Sequence, residues 1–203
     1  MSSIEKDSYD YLMKEEDVFL GQKSGDSAVL YTRASHKLHE SNIAYGLATV
    51  DYWKGDYHKA IKRYRITLAI NCNFYRAYNV WGSCLSHLGR FDEAILQFKQ
   101  ALDINPNYGL AYLNWALVLY WKNEKDDAER IAKKGLEKNT MNRAVIVDAF
   151  KIELSLDEKR LEKAKTEEEK ENFKGRIAGY RWVLEFVDRF FEIQRQSLMN
   201  RRY

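Results

Sequence analysis

The sequence predicts an all-α fold built from stacked helical hairpins. Apolar residues recur three and four positions apart through most of the chain, which is the spacing of one face of a helix. The chain has one proline and ten glycines, and most of the glycines stand near predicted helix ends. A pattern of small and large apolar residues also returns every 34 positions.

Residues 75–107 show this pattern most clearly. Gly89 can adopt the left-handed backbone that ends a helix. Phe91 then begins a second helix, which Pro106 cannot continue. The apolar face of the first helix is formed by Ala77, Val80, Trp81, Cys84, Leu85 and Leu88, and that of the second by Ala94, Ile95, Phe98, Ala101 and Leu102.

The same positions recur 34 residues earlier and 34 residues later. Gly55 corresponds to Gly89 in the earlier copy. Asn123 takes this place in the later copy, and asparagine is the next best residue in a left-handed conformation. A single hairpin cannot bury its own apolar faces, so the recurrence predicts that three hairpins stack on one another.

This pattern resembles the tetratricopeptide repeat, a helical hairpin of roughly 34 residues. Trp81 stands where the family pattern has leucine, and Leu85 where it has tyrosine. The resemblance implies a right-handed α-α superhelical solenoid with repeats at 41–74, 75–108 and 109–142. The matching positions are Gly82, Gly89, Ala94, Phe98, Ala101 and Pro106.

The flanking segments depart from the repeat. Residues 1–40 are predicted to form a degenerate N-terminal repeat or cap. Residues 143–203 are predicted to form capping helices and a basic tail. Within them, the charged run 157–172 is interpreted as a solvated helix with weak ion pairs such as Lys165 with Glu169.

A long C-terminal helix is predicted to carry a heptad-like apolar seam. Two interpretations stay open for it. The helix caps the exposed end of the solenoid, or part of this face forms a homo-oligomer or receives a partner. The seam consists of Phe173, Ile177, Tyr180, Leu184, Val187 and Phe191.

Composition narrows the class of protein. The net charge is +3 from 33 basic and 30 acidic residues, which does not indicate binding to nucleic acid or to an anionic membrane. The N-terminal residues are polar and show no secretory signal, and no run is apolar enough for a membrane span. Cys72 and Cys84 form no close pair, so we expect free thiols and a cytoplasmic location.

No pattern in the sequence indicates catalysis. His36 and His39 could share a metal, but no acidic or cysteine ligand stands at matching spacing. No nucleophile elbow, phosphate-binding glycine loop or HExxH motif occurs. We therefore expect no enzyme activity, no metal and no cofactor.

The family resemblance assigns a peptide-binding groove to the first helix of each repeat. The groove would be aromatic at one end, polar in the middle and apolar at the other. Exposed apolar area of this kind marks an interaction site, or another part of the chain covers it. The groove positions are Tyr45, Thr49, Tyr52, Trp53, Arg76, Asn79, Ser83, Leu110, Leu113, Leu117, Tyr120 and Trp121, with Asn42, Ser86 and His87 at the remaining positions.

These observations favour a scaffold that binds a peptide segment or helix of a partner protein, or assembles with its own copies. A secretion-type or assembly chaperone is the alternative, and an RNA-associated regulator a further one. The carboxylate clamp that holds chaperone C-termini in related repeats is absent. Its five positions hold Tyr45, Thr49, Val80, Leu110 and Asn114 instead of lysine, arginine and asparagine at the required places.

Overall fold

The computed structural model describes the backbone of residues 26–138 and 143–200, and their side chains from residue 35 onward. The chain divides into two compact units, residues 1–40 and 41–203. The described residues form eight helices and no strand, which confirms the all-α prediction. The helices are α1 (Asp26–Lys54), α2 (Tyr57–Ile70), α3 (Tyr75–His87), α4 (Phe91–Ile104), α5 (Gly109–Trp121), α6 (Lys125–Lys138), α7 (Arg143–Lys163) and α8 (Glu167–Asn200).

The three predicted hairpin turns are confirmed. Gly55 and Gly89 have φ values of 86° and 73°, and Asn123 is the one non-glycine residue with positive φ among the described residues, at 65°. These residues reverse the chain after α1, α3 and α5. A side chain with a Cβ atom resists this conformation, and asparagine tolerates it best.

The connections between hairpins use one recurring device. Asn71 Oδ1 accepts a hydrogen bond from the backbone N–H of Asn73 at 3.1 Å. Asn105 Oδ1 accepts the equivalent bond from Asn107 at 3.2 Å. Side-chain bonds of this kind form turns that compete with the helix. They therefore end α2 and α4 at matching positions of the 34-residue pattern.

Small residues allow the two helices of a hairpin to pack closely. A Cβ atom added at Gly82 on α3 would lie 2.6 Å from the Phe98 ring on α4. One added at Gly135 on α6 would lie 2.4 Å from Tyr112 Cβ on α5. In both hairpins an aromatic residue on one helix therefore packs against a glycine on the other helix.

The predicted repeat boundary at Ser41 lies within a helix. Helix α1 begins at Asp26 and continues through Ser41 without a break. No glycine or proline occurs between residues 26 and 45, so nothing in the sequence ends the helix there. Most of the predicted N-terminal repeat, residues 1–25, and the tail residues 201–203 lie outside the described residues. The subdivision of the chain into 1–40, 41–142 and 143–203 stays a prediction.

The prediction of one solvated helix over residues 157–172 is wrong in two respects. Helix α7 ends at Lys163, and α8 begins at Glu167. Thr166 Oγ1 accepts a hydrogen bond from the backbone N–H of Glu169. The Glu169 carboxylate accepts one from the backbone N–H of Thr166. This capping box starts a new helix. Asp157 is also fully buried rather than solvated.

Candidate protein-binding face

The first helices of the three hairpins lie side by side and form one surface, here called the first-helix face. It consists of residues 41–54 of α1 together with α3 and α5. Side chains connect these helices in sequence. Tyr45 stacks on Phe74 with 4.9 Å between ring centroids, and Asn79 of α3 is bonded to Asn114 of α5.

A polar row crosses the middle of α3 and α5. Asn114 Nδ2 donates to Asn79 Oδ1 at 3.1 Å and lies 3.5 Å from Ser83 Oγ. Arg76 is exposed on the same helix, and its guanidinium lies 5.8 Å from the Tyr75 ring centroid. Tyr75 contacts Tyr108 edge-on at 4.9 Å. An exposed cation and two aromatic rings therefore border the amide pair.

Helices α7 and α8 cover one end of the face. Trp182 stacks on Tyr120 at 4.9 Å, and Tyr180 contacts Trp121 edge-on at 5.7 Å. Gly179 permits this approach, because a Cβ atom there would lie 2.3 Å from Trp121 Nε1. Helix α8 is thus shaped to lie against α5.

A buried polar cluster connects α7 to the first two hairpins. Tyr52 Oη donates to Glu153 Oε1 at 2.6 Å and lies 3.0 Å from His87 Nε2. Arg176 of α8 donates to His87 Nδ1. Since arginine is always a donor, Nδ1 must accept, and the neutral ring therefore carries its proton on Nε2. Hydrogen bonds then run from His87 through Tyr52 to Glu153.

The remaining members of this cluster are charged. Asp157 has an exposed fraction of 0% and pairs with Arg160 at 3.0 Å and Arg176 at 2.8 Å. Arg160 also donates to Tyr57 Oη at 2.8 Å. The Tyr57 ring stacks on His87 with 4.5 Å between centroids. Five helices therefore contribute to one buried network: α1, α2, α3, α7 and α8.

Burial changes the acidity of this cluster. It raises the pKa of Glu153 to about 7, although the bond from Tyr52 acts in the opposite direction. Burial also raises the pKa of Asp157, against the effect of the two arginines. It lowers the pKa of His87 well below its ordinary value, and the nearby charge of Arg176 adds to this. Each of these pKa shifts favours the neutral form of the group, because burial disfavours a charge.

The family model of the tetratricopeptide repeat matches residues 75–108, which contain the hairpin α3–α4. These residues therefore form a tetratricopeptide repeat. Proteins with this repeat generally mediate protein–protein interactions, so the first-helix face is the candidate binding surface. No curated protein is similar enough to the chain to match it.

Two solved structures are similar to about half of the chain. The crystal structure of MamA is 26% identical, with 48% of this chain and 57% of MamA covered and a TM-score of 0.46. The complex of the TPR2B domain of yeast Sti1 with pHsp70 is 24% identical, with 50% of this chain and 79% of that chain covered and a TM-score of 0.46. The chain spans little more than half the length of MamA.

The predicted groove residues fall into two groups. Tyr52, Leu113 and Leu117 are buried in its core, and Tyr120 and Trp121 pack against α8. A peptide cannot reach these residues while α7 and α8 lie over them. Trp53 is 43% exposed beside Tyr52. The residues at the other end of the face are Tyr45, Thr49, Arg76, Asn79, Ser83 and Leu110, of which Asn79 is also buried.

The predicted seam of the C-terminal helix packs within the chain. Ile177, Tyr180 and Val187 are buried, and Leu184 and Phe191 pack against the same core. Phe173 is half-buried below the Arg176 guanidinium. These contacts favour the cap over a free dimer surface, and a homo-oligomer through this seam stays a prediction.

The polar cluster contains functional candidates that the sequence reasoning missed. Glu153, Asp157 and Arg160 lie on α7, and Arg176 lies on α8. One sequence signal was available: Glu153, Asp157 and Arg160 are three and four positions apart on the face that also carries the apolar Ile146 and Phe150. Their partners lie up to 103 positions away, so no local pattern indicates the contacts.

Two further expectations concern metal and membrane. Within residues 26–138 and 143–200, no group of three histidine, cysteine or acidic side chains is placed to hold a metal ion. In the same part of the chain, no helix is long and apolar enough to cross a membrane.

Proposed function

We propose that this protein is a non-enzymatic interaction scaffold that binds an extended segment of a partner protein at the open end of the first-helix face. The observation that carries the proposal is the Asn79–Asn114 pair beside the exposed Arg76. Two amides from successive hairpins form one polar row there, and the helices α7 and α8 cover the other end of the face.

The amide pair has the chemistry to recognise a peptide backbone. The bond between the two residues uses an N–H of Asn114 and the carbonyl of Asn79. Each side chain keeps further donor or acceptor capacity, since an amide offers two donors and one acceptor oxygen. Asn79 is 5% exposed, so the half-buried Asn114 is the amide that an extended segment can reach with the N–H groups that it presents in alternation with C=O groups.

The surroundings of the pair indicate which side chains the segment would carry. Arg76 provides a charge-assisted bond to an acidic side chain. Tyr45, Tyr75 and Tyr108 lie around it and offer aromatic surface to an apolar neighbour. We therefore expect a segment with one acidic residue next to an apolar one. The free thiols of Cys72 and Cys84 support a reducing compartment such as the cytoplasm.

Quantitative capture of partners tests this proposal. Arg76→Glu reverses a charge on the first-helix face, and Lys62→Glu makes the same reversal on the exposed surface of α2. We expect Arg76→Glu and Asn114→Leu each to reduce capture of a specific partner at least about tenfold, and Lys62→Glu to leave it unchanged. Equal capture by all the folded variants would overturn the proposal.

A further inference from the structure

A cavity of about 220 Å³ lies where the turn between α3 and α4 meets the end of α5 and the first turns of α8. We propose that this cavity is a binding site for a small carboxylate with a compact apolar or aromatic body. It shares no residue with the amide pair of Asn79 and Asn114, so the inference goes beyond the proposed function and does not depend on it. Its lining includes Ser86, Gly89, Phe91, Trp121, Gly175 and Arg176.

Arg176 brings a charged donor without an acceptor to the lining of this cavity. Its Nη2 atom bonds His87 and Asp157. Its Nε atom is buried and forms no hydrogen bond within residues 26–138 and 143–200. A buried donor without an acceptor is costly, and a charged donor more so. An oxygen atom of a ligand in the cavity would satisfy this donor.

Trp121 contributes a second donor of this kind. Its Nε1 atom is buried and has no acceptor in the described part of the chain. This atom lies against α8 at Gly179, where a Cβ atom would be 2.3 Å away. Gly179 follows Arg176 by three positions, and residues at this spacing share one face of a helix. The two donors are therefore about one helical turn apart along α8, and the two oxygen atoms of a carboxylate can accept from both.

The charge of the buried cluster behind Arg176 favours an anion. Arg160 and Arg176 act there on two carboxylates, those of Glu153 and Asp157. Burial raises the pKa of Glu153 to about 7, so near neutral pH only part of this group is ionised and positive charge is in excess. A hydrogen bond between a guanidinium and a carboxylate is roughly twice as strong as one between neutral groups.

Two features beside the cavity oppose an anion, and both act weakly. The carboxylate of Glu171 is at the rim, but it is exposed and bonds Lys174 at 2.5 Å. Helices α3 and α5 also end here, and the carbonyl end of a helix disfavours negative charge. The backbone N–H groups of Gly89 and Arg90 already bond two carbonyl groups of α3. The unsatisfied donors therefore outweigh both features.

The remaining lining determines the body of the ligand. Phe91 and Trp121 provide aromatic surface, with 6.2 Å between their ring centroids. A Cβ atom added at Gly89 or Gly175 would meet nothing within 4 Å, so no side chain fills the space beside these glycines. A water molecule takes up about 30 Å³, so the cavity has room for more than the waters that two donors need. Benzoate, which joins a planar ring to a carboxylate, is therefore a suitable probe.

Calorimetric titration of the full chain with benzoate tests the site. We expect saturable binding that is at least about tenfold tighter than that of benzamide, which lacks the charge, or of inorganic phosphate, which lacks the ring. The indole N–H signal of Trp121 in nuclear magnetic resonance spectra should shift on binding, and its absence from Trp121→Phe identifies it. No saturable binding of benzoate up to about 50 mM would overturn the inference, as would equal binding of the three probes.

Two variants test whether the ligand occupies this cavity. Trp121→Phe keeps an aromatic ring and removes one donor, so it should weaken benzoate binding at least about tenfold. Gly175→Leu should fill the cavity and abolish binding, and a helix favours leucine over glycine. Gly46→Leu is the matched control, because Gly46 also lies in a helix with open space around its Cβ position, and it should bind benzoate like the unaltered chain. Unchanged binding by either Trp121→Phe or Gly175→Leu would overturn the inference.

Discussion

Tyr52 and Glu153 are 101 positions apart in sequence, yet the tyrosine hydroxyl donates a 2.6 Å hydrogen bond to the carboxylate. This bond joins the first hairpin to the helix that follows the third. Each hairpin otherwise contacts mainly its neighbours, as in other repeat proteins. The bond and the cluster around it therefore add a long-range connection to a fold made of local ones.

Tyr52→Phe should destabilise the chain by about 1–3 kcal/mol. The substitution removes the donor and leaves a buried carboxylate acceptor without it. Denaturation by urea at pH 8 measures the free energy of unfolding. Tyr78→Phe is the control, since Tyr78 is half-buried and its hydroxyl has no hydrogen-bond partner within the described residues. We expect the control to change stability by less than about 0.5 kcal/mol. Equal effects would show that the Tyr52 bond is not important for stability.

Glu153 and His87 should change stability in opposite directions as the pH falls from 7 to 5. The folded pKa of Glu153 is about 7, above its ordinary 4.5, so its buried charge destabilises the fold at high pH and this penalty is lost as the pH falls. The pKa of Asp157 is raised in the same direction. His87 acts oppositely. Its folded pKa lies below 6.5, so the stability that the neutral ring provides is present above pH 6.5 and is lost as the pH falls further.

Single substitutions should separate these opposing effects. Glu153→Gln removes the group that gains stability in acid, so the variant should lose at least about 3 °C more in melting temperature between pH 7 and 5 than the unaltered chain. His87→Gln removes the group that loses stability, so its melting temperature should rise over the same interval. Melting curves by circular dichroism at four pH values measure both. Parallel pH profiles for all three proteins would contradict this account.

The hairpins could be predicted from the sequence because their causes are local. Gly89 must adopt positive φ, Pro106 cannot continue a helix, and Gly82 faces Phe98 only 16 positions away. Repetition of the pattern then predicts stacking. The length of α1 has no such cause in the repeat pattern. It follows from the absence of glycine and proline between residues 26 and 45.

The cover over the first-helix face could not be predicted in the same way. The sequence around Leu117 does not show whether solvent, a partner or α8 lies against this residue. Asp157 belongs to a charged run, which is usually solvated, and only its distant partner Arg176 explains its burial. Family positions therefore predict a binding face on the first helices. They did not show that α7 and α8 already occupy part of it.

Two glycine substitutions should have opposite effects on stability. A Cβ atom at Gly82 would meet the Phe98 ring, so Gly82→Ala should destabilise by about 1–3 kcal/mol through overpacking. Gly46 lies within α1, and a Cβ atom there meets nothing within 4 Å. Gly46→Ala should therefore stabilise by about 0.5–1 kcal/mol, because glycine weakens a helix. Urea denaturation measures both, and the same sign for both would contradict the close contact at Gly82.

The last prediction separates a core position from a groove position on the first helices. Leu117 of α5 is 4% exposed, and its side chain would lie 2.8 Å from a Cβ atom at Gly179 of α8. Leu117→Asp should place a carboxylate in this contact and destabilise the chain by about 3 kcal/mol or more. Leu47→Asp is the matched control on α1, where leucine is 50% exposed, and it should cost less than about 1 kcal/mol. Thermal melting measures both. If Leu117→Asp left stability unchanged, α8 would not lie over α5, and Leu117 would be open to a partner as the family pattern suggests.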